Sequence, residues 1–535
     1  MKPLTPSNIL CLLSMTVTGL PGVAGASMDC ASLAGLRVDD ANLLSSVEVA
    51  ARGGLPPHCR VLGVVRPAIN FELRLPIEDW NGKFYMTGCG GFCGRLDSDR
   101  PGFTNAMNHG LRRGYAAATM DGGHWGSTVT DGRWAMNDRV AETDWAWRAV
   151  TETARVAKAL LQAHYGRPQE RAYFAGCSTG GRMALMEAQR FAKDFDGIIA
   201  GAPALDYTGL VATHAVWVTQ ANRRPDGSEI LSRDKVAAIA AAVTRACDAR
   251  DGLADGLIDD SRRCDWKPAA LACPAKSGSE PNSQGGPGKI GSEPNSTCLA
   301  PDEVAVLEKW YGGPHDSRGK QLYPGGVPRG SEPYWPLWLT GVPGTTNPAL
   351  VPLFARDFLR YMAFAEDPGE SHDPGQFDFD RDPARLASMT SLYNAEQVDL
   401  AAFRERGGKL IIYHGWADPL VTPLRTLEYF EAAQAAAGGA ERAADFARLF
   451  MLPGFDHCGL QDGPGANDAG FDPLPALEAW VERGIAPESI EMHRRDATGA
   501  SLWSRPACAY PAVASLRRGG DASRPEDFYC RVPAN

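Results

Sequence analysis

Two hydrophobic periods alternate along the chain. Phe71-Glu72-Leu73-Arg74-Leu75 switches apolar and polar at every residue, the period of a strand, and Lys83-Phe84-Tyr85-Met86 is of the same β type. The run Tyr115–Met120 is almost unbroken in its apolar character and predicts a strand buried inside a sheet. From Trp145 to His164 the apolar residues recur at helical spacing. A short strand at Ala172–Ala175, a helix over 181–191 and a strand at Gly197–Gly201 follow. Strands alternating with helices predict a parallel sheet covered by helices on both faces.

The pattern breaks between 206 and 407. Cys264–Gly344 is rich in Pro, Gly and Ser and carries a short repeat, Gly-Ser-Glu-Pro-Asn-Ser, at 278–283 and 291–296. The repeat is too short and polar for a solenoid and reads as a duplication in a surface loop. Asn295-Ser296-Thr297 is a glycosylation sequon, a three-residue pattern that chance supplies often. After Gly407 the alternation resumes, with strands at Leu410–His414 and Arg448–Leu452 and helices over 423–437 and 475–483. One α/β domain, 27–205 plus 408–535, is therefore expected to be split by an insertion of roughly 200 residues, 206–407, lying over the sheet as a lid.

Composition narrows the setting. The 535 residues are 44% hydrophobic and 22% charged, ordinary for a globular protein with a large core. A formal charge of −10 gives no general attraction for phosphate backbones or anionic lipid, so neither nucleic acid nor membrane is an expected partner. The N-terminus reads as a secretory signal: Lys2, an apolar run Ile9–Val17 too short to span a bilayer, then Ala24-Gly25-Ala26 as a cleavage pattern, with 1–26 removed. Removal takes Cys11 and leaves twelve of the 13 cysteines, an even set for an oxidising compartment. No C-x-x-C pair occurs, which argues against a zinc ribbon or a thioredoxin-type site.

The candidate chemistry sits at Gly176-Cys177-Ser178-Thr179-Gly180, a G-x-S-x-G between the predicted strand and helix. Glycines allow the sharp turn that presents a serine hydroxyl at a helix N-terminus. In an α/β-hydrolase fold the acid and the base follow in that order. Asp418 stands just past the strand Leu410–His414. Only His457 and His493 come later, and His493 reads as a strand residue; the other eight histidines read as surface or core. His457 lies on a loop, where a catalytic imidazole belongs. Its neighbour Asp456 is the rival acid, badly placed to reach the ring Nδ1. Cys177 and Cys458 flank Ser178 and His457, so a serine and histidine in contact would bring the two cysteines within disulfide range. The oxyanion is expected to meet the backbone N–H of Thr179 and one from the glycine loop Gly88–Gly94, either Gly91 or Gly90.

Tyr173–Arg182, Phe195–Pro203, Cys89–Cys93, His414–Asp418 and Gly454–Cys458 together resemble the tannase and feruloyl esterase family, which includes feruloyl esterases, tannases and mono(2-hydroxyethyl) terephthalate hydrolase. The resemblance implies an α/β-hydrolase core, a substrate-shaping lid and the Cys177–Cys458 bridge. It also implies a structural Ca²⁺ site, with Asp248, Asp251 and Asp255 as carboxylate ligands and Leu253 and Leu257 as carbonyl ligands; read alone, the segment is an Asp/Gly-rich turn. The pairings it suggests are Cys30–Cys59, Cys247–Cys264, Cys273–Cys298 and Cys508–Cys530. Cys89 and Cys93 are left over, with a bridge inside the glycine loop open to them.

The implied function is a secreted serine carboxylesterase acting on small esters of aromatic acids such as hydroxycinnamic or gallic acid, with a terephthalate half-ester as the alternative. A peptidase or acyltransferase using the same three residues, and a non-catalytic binding protein on the same fold, are the competing readings. Trp217, Trp310, Tyr334, Trp335, Trp338, Phe354, Phe358 and Phe364 of the insertion read mostly as its core; Arg360 has the chemistry to meet a substrate carboxylate, but reads first as one half of a structural ion pair.

Overall fold

The computed structural model describes residues 27–274, 297–496, 498 and 500–533. The expected signal segment 1–26, the internal repeat and Asn295-Ser296 of the sequon lie outside the described residues.

A nine-stranded sheet organises the chain, in the order β1-β2-β3-β5-β4-β6-β7-β8-β9. The strands are β1 (Ala41–Val49), β2 (His58–Val65), β3 (Ile69–Pro76), β4 (Lys83–Thr87), β5 (Ala116–Met120), β6 (Arg171–Cys177), β7 (Gly197–Gly201), β8 (Lys409–Gly415) and β9 (Ala447–Leu452). The expected parallel pairing runs through β5, β4, β6, β7, β8 and β9, and one edge departs from it, where β1, β2, β3 and β5 pair antiparallel. Connection length decides this. Only a few residues join β1 to β2 and β2 to β3, enough for a hairpin, whereas parallel neighbours need a crossover, usually helical. The crossover from β5 to β6 carries the helix Ala149–Tyr165, whose buried Val150, Thr153, Ala154, Ala157, Leu160 and Leu161 recur at helical spacing. It stops at Gly166, which takes the left-handed conformation (φ 71°) that a side chain disfavours.

The central strands are buried on both faces, β7 along its whole length, so they read as apolar runs without alternation. Adjacent β7 and β8 are separated in sequence by 202–408, and the described residues of that segment contribute no strand to the sheet. It is built on helices that include Val236–Cys247, Pro301–Gly312 and Leu350–Tyr361. Its interior is aromatic. Trp310 meets Trp335 edge to face at 5.1 Å, and Tyr334, Trp338, Phe354, Phe358 and Phe364 are buried with them; Trp217 is the partly exposed member of the set. One buried ion pair stands inside, Lys235 Nζ to Glu303 Oε2 at 2.5 Å, and the same carboxylate oxygen accepts the Ala300 N–H where the helix Pro301–Gly312 starts.

Two hairpins close the chain: β10 (Ser489–Arg495) with β11 (Ser501–Cys508), and β12 (Val513–Leu516) with β13 (Phe528–Arg531). The pattern of hydrophobic positions marked only the strand around His493. Half-exposed strands rich in Arg, Glu and Ser have little hydrophobic alternation to show. Six disulfides are formed, Cys30–Cys59, Cys89–Cys93, Cys177–Cys458, Cys247–Cys264, Cys273–Cys298 and Cys508–Cys530, as befits an oxidising environment. Among the described residues no helix is long and apolar enough to cross a membrane.

Phe174 is fully buried in β6, three residues before the strand ends at Cys177. Phe174→Ala is expected to lower stability by about 4 kcal/mol, read as a lower urea midpoint, because deleting a core ring leaves a cavity the sheet cannot close.

Candidate active site

The turn after β6 carries the first functional side chain. Cys177 is the last residue of the strand and Thr179 the first of the helix Thr179–Arg190. Ser178 between them is held at φ 64°, ψ −122°, a conformation costly for any residue with a Cβ. Its backbone is pinned on both sides. Ser178 N donates to Gly201 O (3.0 Å), and Ser178 O accepts from Arg182 N (3.0 Å) and Ala204 N (3.2 Å). The turn closes only because its neighbours lack side chains: a Cβ on Gly176 would stand 2.3 Å from Gly180 O.

The glycine loop after β4 packs against this turn. Gly91 takes φ 58°, and a Cβ there would stand 2.4 Å from the Val129 carbonyl. The Thr179 hydroxyl donates to Gly91 O at 2.7 Å, and Gly90 O accepts from Cys93 N at 3.0 Å, inside the loop closed by the Cys89–Cys93 bridge. Thr179, Gly90 and Gly91, far apart in sequence, are thus gathered beside Ser178. Asn105 completes the support: its amide accepts from Cys177 N (3.0 Å) and donates to Cys177 O (3.3 Å). Sequence reading passed over Asn105, since an asparagine in a loop carries no local signal of such a role.

Asp418 lies in the turn after β8 and is fully buried. One oxygen accepts the N–H groups of Leu420 and Val421, each at 2.9 Å; the other meets His457 Nδ1 at 2.7 Å. His414 stands behind, its Nε2 3.3 Å from the same oxygen and 2.8 Å from the Val421 carbonyl, its Nδ1 2.8 Å from the Thr426 hydroxyl. A carbonyl can only accept, so Nε2 carries the proton and Nδ1 takes the Thr426 hydrogen. Burial works to raise the Asp418 carboxyl, but the charge of His457 and the hydrogen bonds from both imidazoles outweigh it and hold it down at about 2. His414 reads from the pattern as a strand residue; its contact with Asp418 appears only in three dimensions.

Asp456 is equally buried and opposite in state. Burial first, then the charge of Asp418, drives its carboxyl well above the ordinary carboxylate range. One of its oxygens is 3.4 Å from Gln461 Nε2 and the other has no partner among the described residues. The His457 Nδ1 proton thus goes to Asp418, not to the sequence neighbour.

The Cys177–Cys458 bridge, with α-carbons 6.0 Å apart, joins the serine turn to the histidine loop. Cys458 Sγ is 3.7 Å from His457 Nε2, and the Trp338 indole meets the imidazole edge to face at 5.1 Å. Among the described residues the Ser178 hydroxyl makes no hydrogen bond, a looseness common where the hydroxyl–imidazole contact tightens only on substrate. A hydroxyl at a helix N-terminus, an imidazole oriented by a buried carboxylate and a glycine loop alongside form a set suited to acyl transfer.

The acidic loop of the insertion is a separate feature. Asp248 Oδ1 accepts from Asp255 N (3.1 Å) and Gly256 N (3.0 Å), Asp251 Oδ1 from Leu253 N (2.9 Å), and Asp255 Oδ1 from Leu257 N (3.1 Å). Burial, then the charges of Asp255 and Asp248, raise the Asp251 carboxyl; burial and Asp251 push Asp259 up to about 7. Crowded carboxylates and nearby carbonyls are the donor chemistry of a hard cation. Arg505 already takes the outer oxygen of Asp255 at 2.5 Å, and among the described residues no three metal-ligating side chains converge.

Serine turn, buried acid and loop histidine at the ends of β6, β8 and β9 of a mixed sheet define an α/β-hydrolase, and its class is the carboxylic ester hydrolases. The chain belongs to the tannase and feruloyl esterase family, whose sequence profile matches residues 56–531. It is 34% identical to an uncharacterized esterase of Xanthomonas campestris pv. campestris, covering 95% of this chain and 92% of that one. It is 33% identical to the mono(2-hydroxyethyl) terephthalate hydrolase of Piscinibacter sakaiensis, over 90% of this chain and 86% of that one. The crystal structure of feruloyl esterase B from Aspergillus oryzae superposes with a TM-score of 0.79 at 25% identity, covering 94% and 99% of the two chains.

The two buried acids set opposite pH dependences. Asp418 is depressed, so its contribution to stability is present above its ordinary 3.8 and lost as pH falls toward 2. Asp456 is raised, so it destabilises the folded state increasingly as pH rises above 3.8. Asp456→Asn is expected to raise the Tm at pH 7 and to lose that advantage below pH 3.8, whereas Asp418→Asn should lower the Tm at pH 7; thermal unfolding across pH 3–8 checks both signs.

Proposed function

We propose that the protein hydrolyses esters of aromatic acids through an acyl-enzyme. His457 takes the proton of the Ser178 hydroxyl as its oxygen attacks the ester carbonyl, and returns that proton to the leaving alcohol; a water then repeats the sequence and frees the acid. Asp418 holds Nδ1–H and favours the imidazolium formed at each step. Backbone N–H groups of Thr179 and of Gly91 or Gly90 are assigned to the developing oxyanion. The observation that carries this reading is the 2.7 Å bond from His457 Nδ1 to a fully buried carboxylate, on a histidine joined to the serine turn by the Cys177–Cys458 bridge.

The insertion 206–407 is assigned the role of lid, with Trp338 beside His457 at its inner face. Feruloyl and galloyl esters are the favoured substrates, supported by the family; the terephthalate half-ester is the second reading, favoured by the 33% identical hydrolase. Ca²⁺ is proposed for the acidic loop, where Asp248, Asp251 and Asp255 and the carbonyls of Leu253 and Leu257 would have to draw in around it and where it would offset the repulsion that adds to burial in raising Asp251. Its work there is structural, since no step of the chemistry needs it. Export to the periplasm or the medium is inferred from the N-terminal signal pattern and the six disulfides.

Ser178→Ala is expected to abolish release of ferulate or gallate from their methyl esters, and Asp418→Asn to lower kcat by about 10⁴ through the wrong imidazole tautomer. Full activity of Ser178→Ala, or failure of a fluorophosphonate to label Ser178 in the wild type, would overturn the assignment. Chelation is expected to lower the Tm and added Ca²⁺ to restore it, with Asp251→Asn removing the response in thermal unfolding.

A further inference from the structure

We propose that a cavity of the insertion, half open to solvent, is a second ligand site, for a small aromatic carboxylate, placed one helix away from the acyl-transfer centre. The cavity holds about 330 Å³, within the range of small-molecule pockets. Leu339, Leu353 and Pro352 contribute apolar wall, and Arg223, Arg356 and Arg360 line it as well. An apolar slot with guanidinium groups suits a ring bearing a carboxylate better than it suits a neutral ring or a bare inorganic anion.

The charges of the wall are not all spoken for. Arg223 pairs with Asp373 at 3.0 Å, and Glu229, the other acid of the wall, is taken by Arg233 at 2.9 Å. Arg356 turns its Nε to Asp357 at 2.7 Å. Arg360 has no such partner: its Nε donates to the His372 carbonyl at 3.0 Å, and among the described residues it pairs with no carboxylate. The structural ion pair expected for Arg360 from the sequence is therefore absent. Its remaining N–H groups are left to offer a planar fork to a carboxylate.

Position gives the site a consequence. Pro352, Leu353, Arg356 and Arg360 of the helix Leu350–Tyr361 line the cavity. Phe354 and Phe358 of the same helix pack on Phe92 of the glycine loop, with ring centroids 5.2 and 6.4 Å apart. Leu339 lines the cavity, and its neighbour Trp338 is the ring against His457. An occupant of the cavity therefore touches the two elements that hold the walls of the active centre. Ester hydrolysis releases a carboxylate, so the acid product is the natural occupant and the site would report its concentration. This last point rests on the proposed function; the binding itself does not.

The test separates the two. The wild-type enzyme, its Ser178 blocked by a phosphonate, is titrated with ferulate by calorimetry. One equivalent is expected to bind, about tenfold or more weakly in Arg360→Ala, with Arg360→Lys intermediate and all three proteins equal in Tm. The neutral coniferyl alcohol is expected to bind at least as poorly as ferulate does to Arg360→Ala. In turnover of p-nitrophenyl acetate by unblocked enzyme, ferulate should lower kcat as well as raise KM, and Arg360→Ala should retain only the KM effect. No binding to the blocked enzyme, equal binding by Arg360→Ala, or equal binding of the alcohol would overturn the site. If the phosphonate fails to label, the acyl-enzyme reading falls, and the same titration on Ser178→Ala still decides the cavity.

Discussion

A carboxylate kept ionised in a dry interior governs the geometry of this protein. Asp418 has no contact with water, and burial alone would favour its neutral form. The charge of His457 and the hydrogen bonds from both imidazoles reverse that preference, while the N–H groups of Leu420 and Val421 fix the other oxygen. Each arrives from an element the sheet has already positioned: the turn after β8, β8 itself and the loop after β9. The charge in turn acts on its surroundings. It orients His457 and adds to burial in driving the Asp456 carboxyl upward, so two buried aspartates close to one histidine are shifted in opposite directions.

The serine side is organised by close approach of backbones. Gly88, Gly176 and Gly180 let the loop after β4, the end of β6 and the start of the following helix meet at distances a Cβ would forbid. Asn105 clamps both polar groups of the Cys177 peptide, and the Cys177–Cys458 bridge carries that rigidity to the histidine loop. A strained residue at 178 is tolerated because its peptide is bonded on both sides. The insertion reaches this centre through Trp338 on His457, Phe354 with Phe358 on Phe92, and Tyr207 on Phe92 and Thr179, so the packing of one region bears on the chemistry of the other.

Much of this is legible in the chain. The strands β3 to β9 announce themselves by alternation or by apolar runs, and the helices between them by their spacing. The G-x-S-x-G turn, Asp418 after its strand and His457 in its loop follow from the order that the fold imposes on an acid and a base. What stays hidden is informative. The antiparallel edge depends on connection lengths around β1 and β2, which show little hydrophobic signal. The polar C-terminal hairpins escape for the same reason. Asn105 acts through a contact with a residue 72 positions away and nothing local marks it, while His414 stands in a recognisable motif whose pattern does not show its contact with Asp418.

The sequence by itself determined the fold class and the family, and singled out Ser178, Asp418 and His457 as candidates, because periodicity, glycine placement and chain order are local or ordinal properties. Tertiary structure alone decided which aspartate is shifted down and which up, how the glycine loop meets Thr179 and that, among the described residues, Arg360 lines a cavity without a carboxylate partner. Those depend on burial and on the sum of neighbouring charges, quantities that exist only once distant segments have packed together.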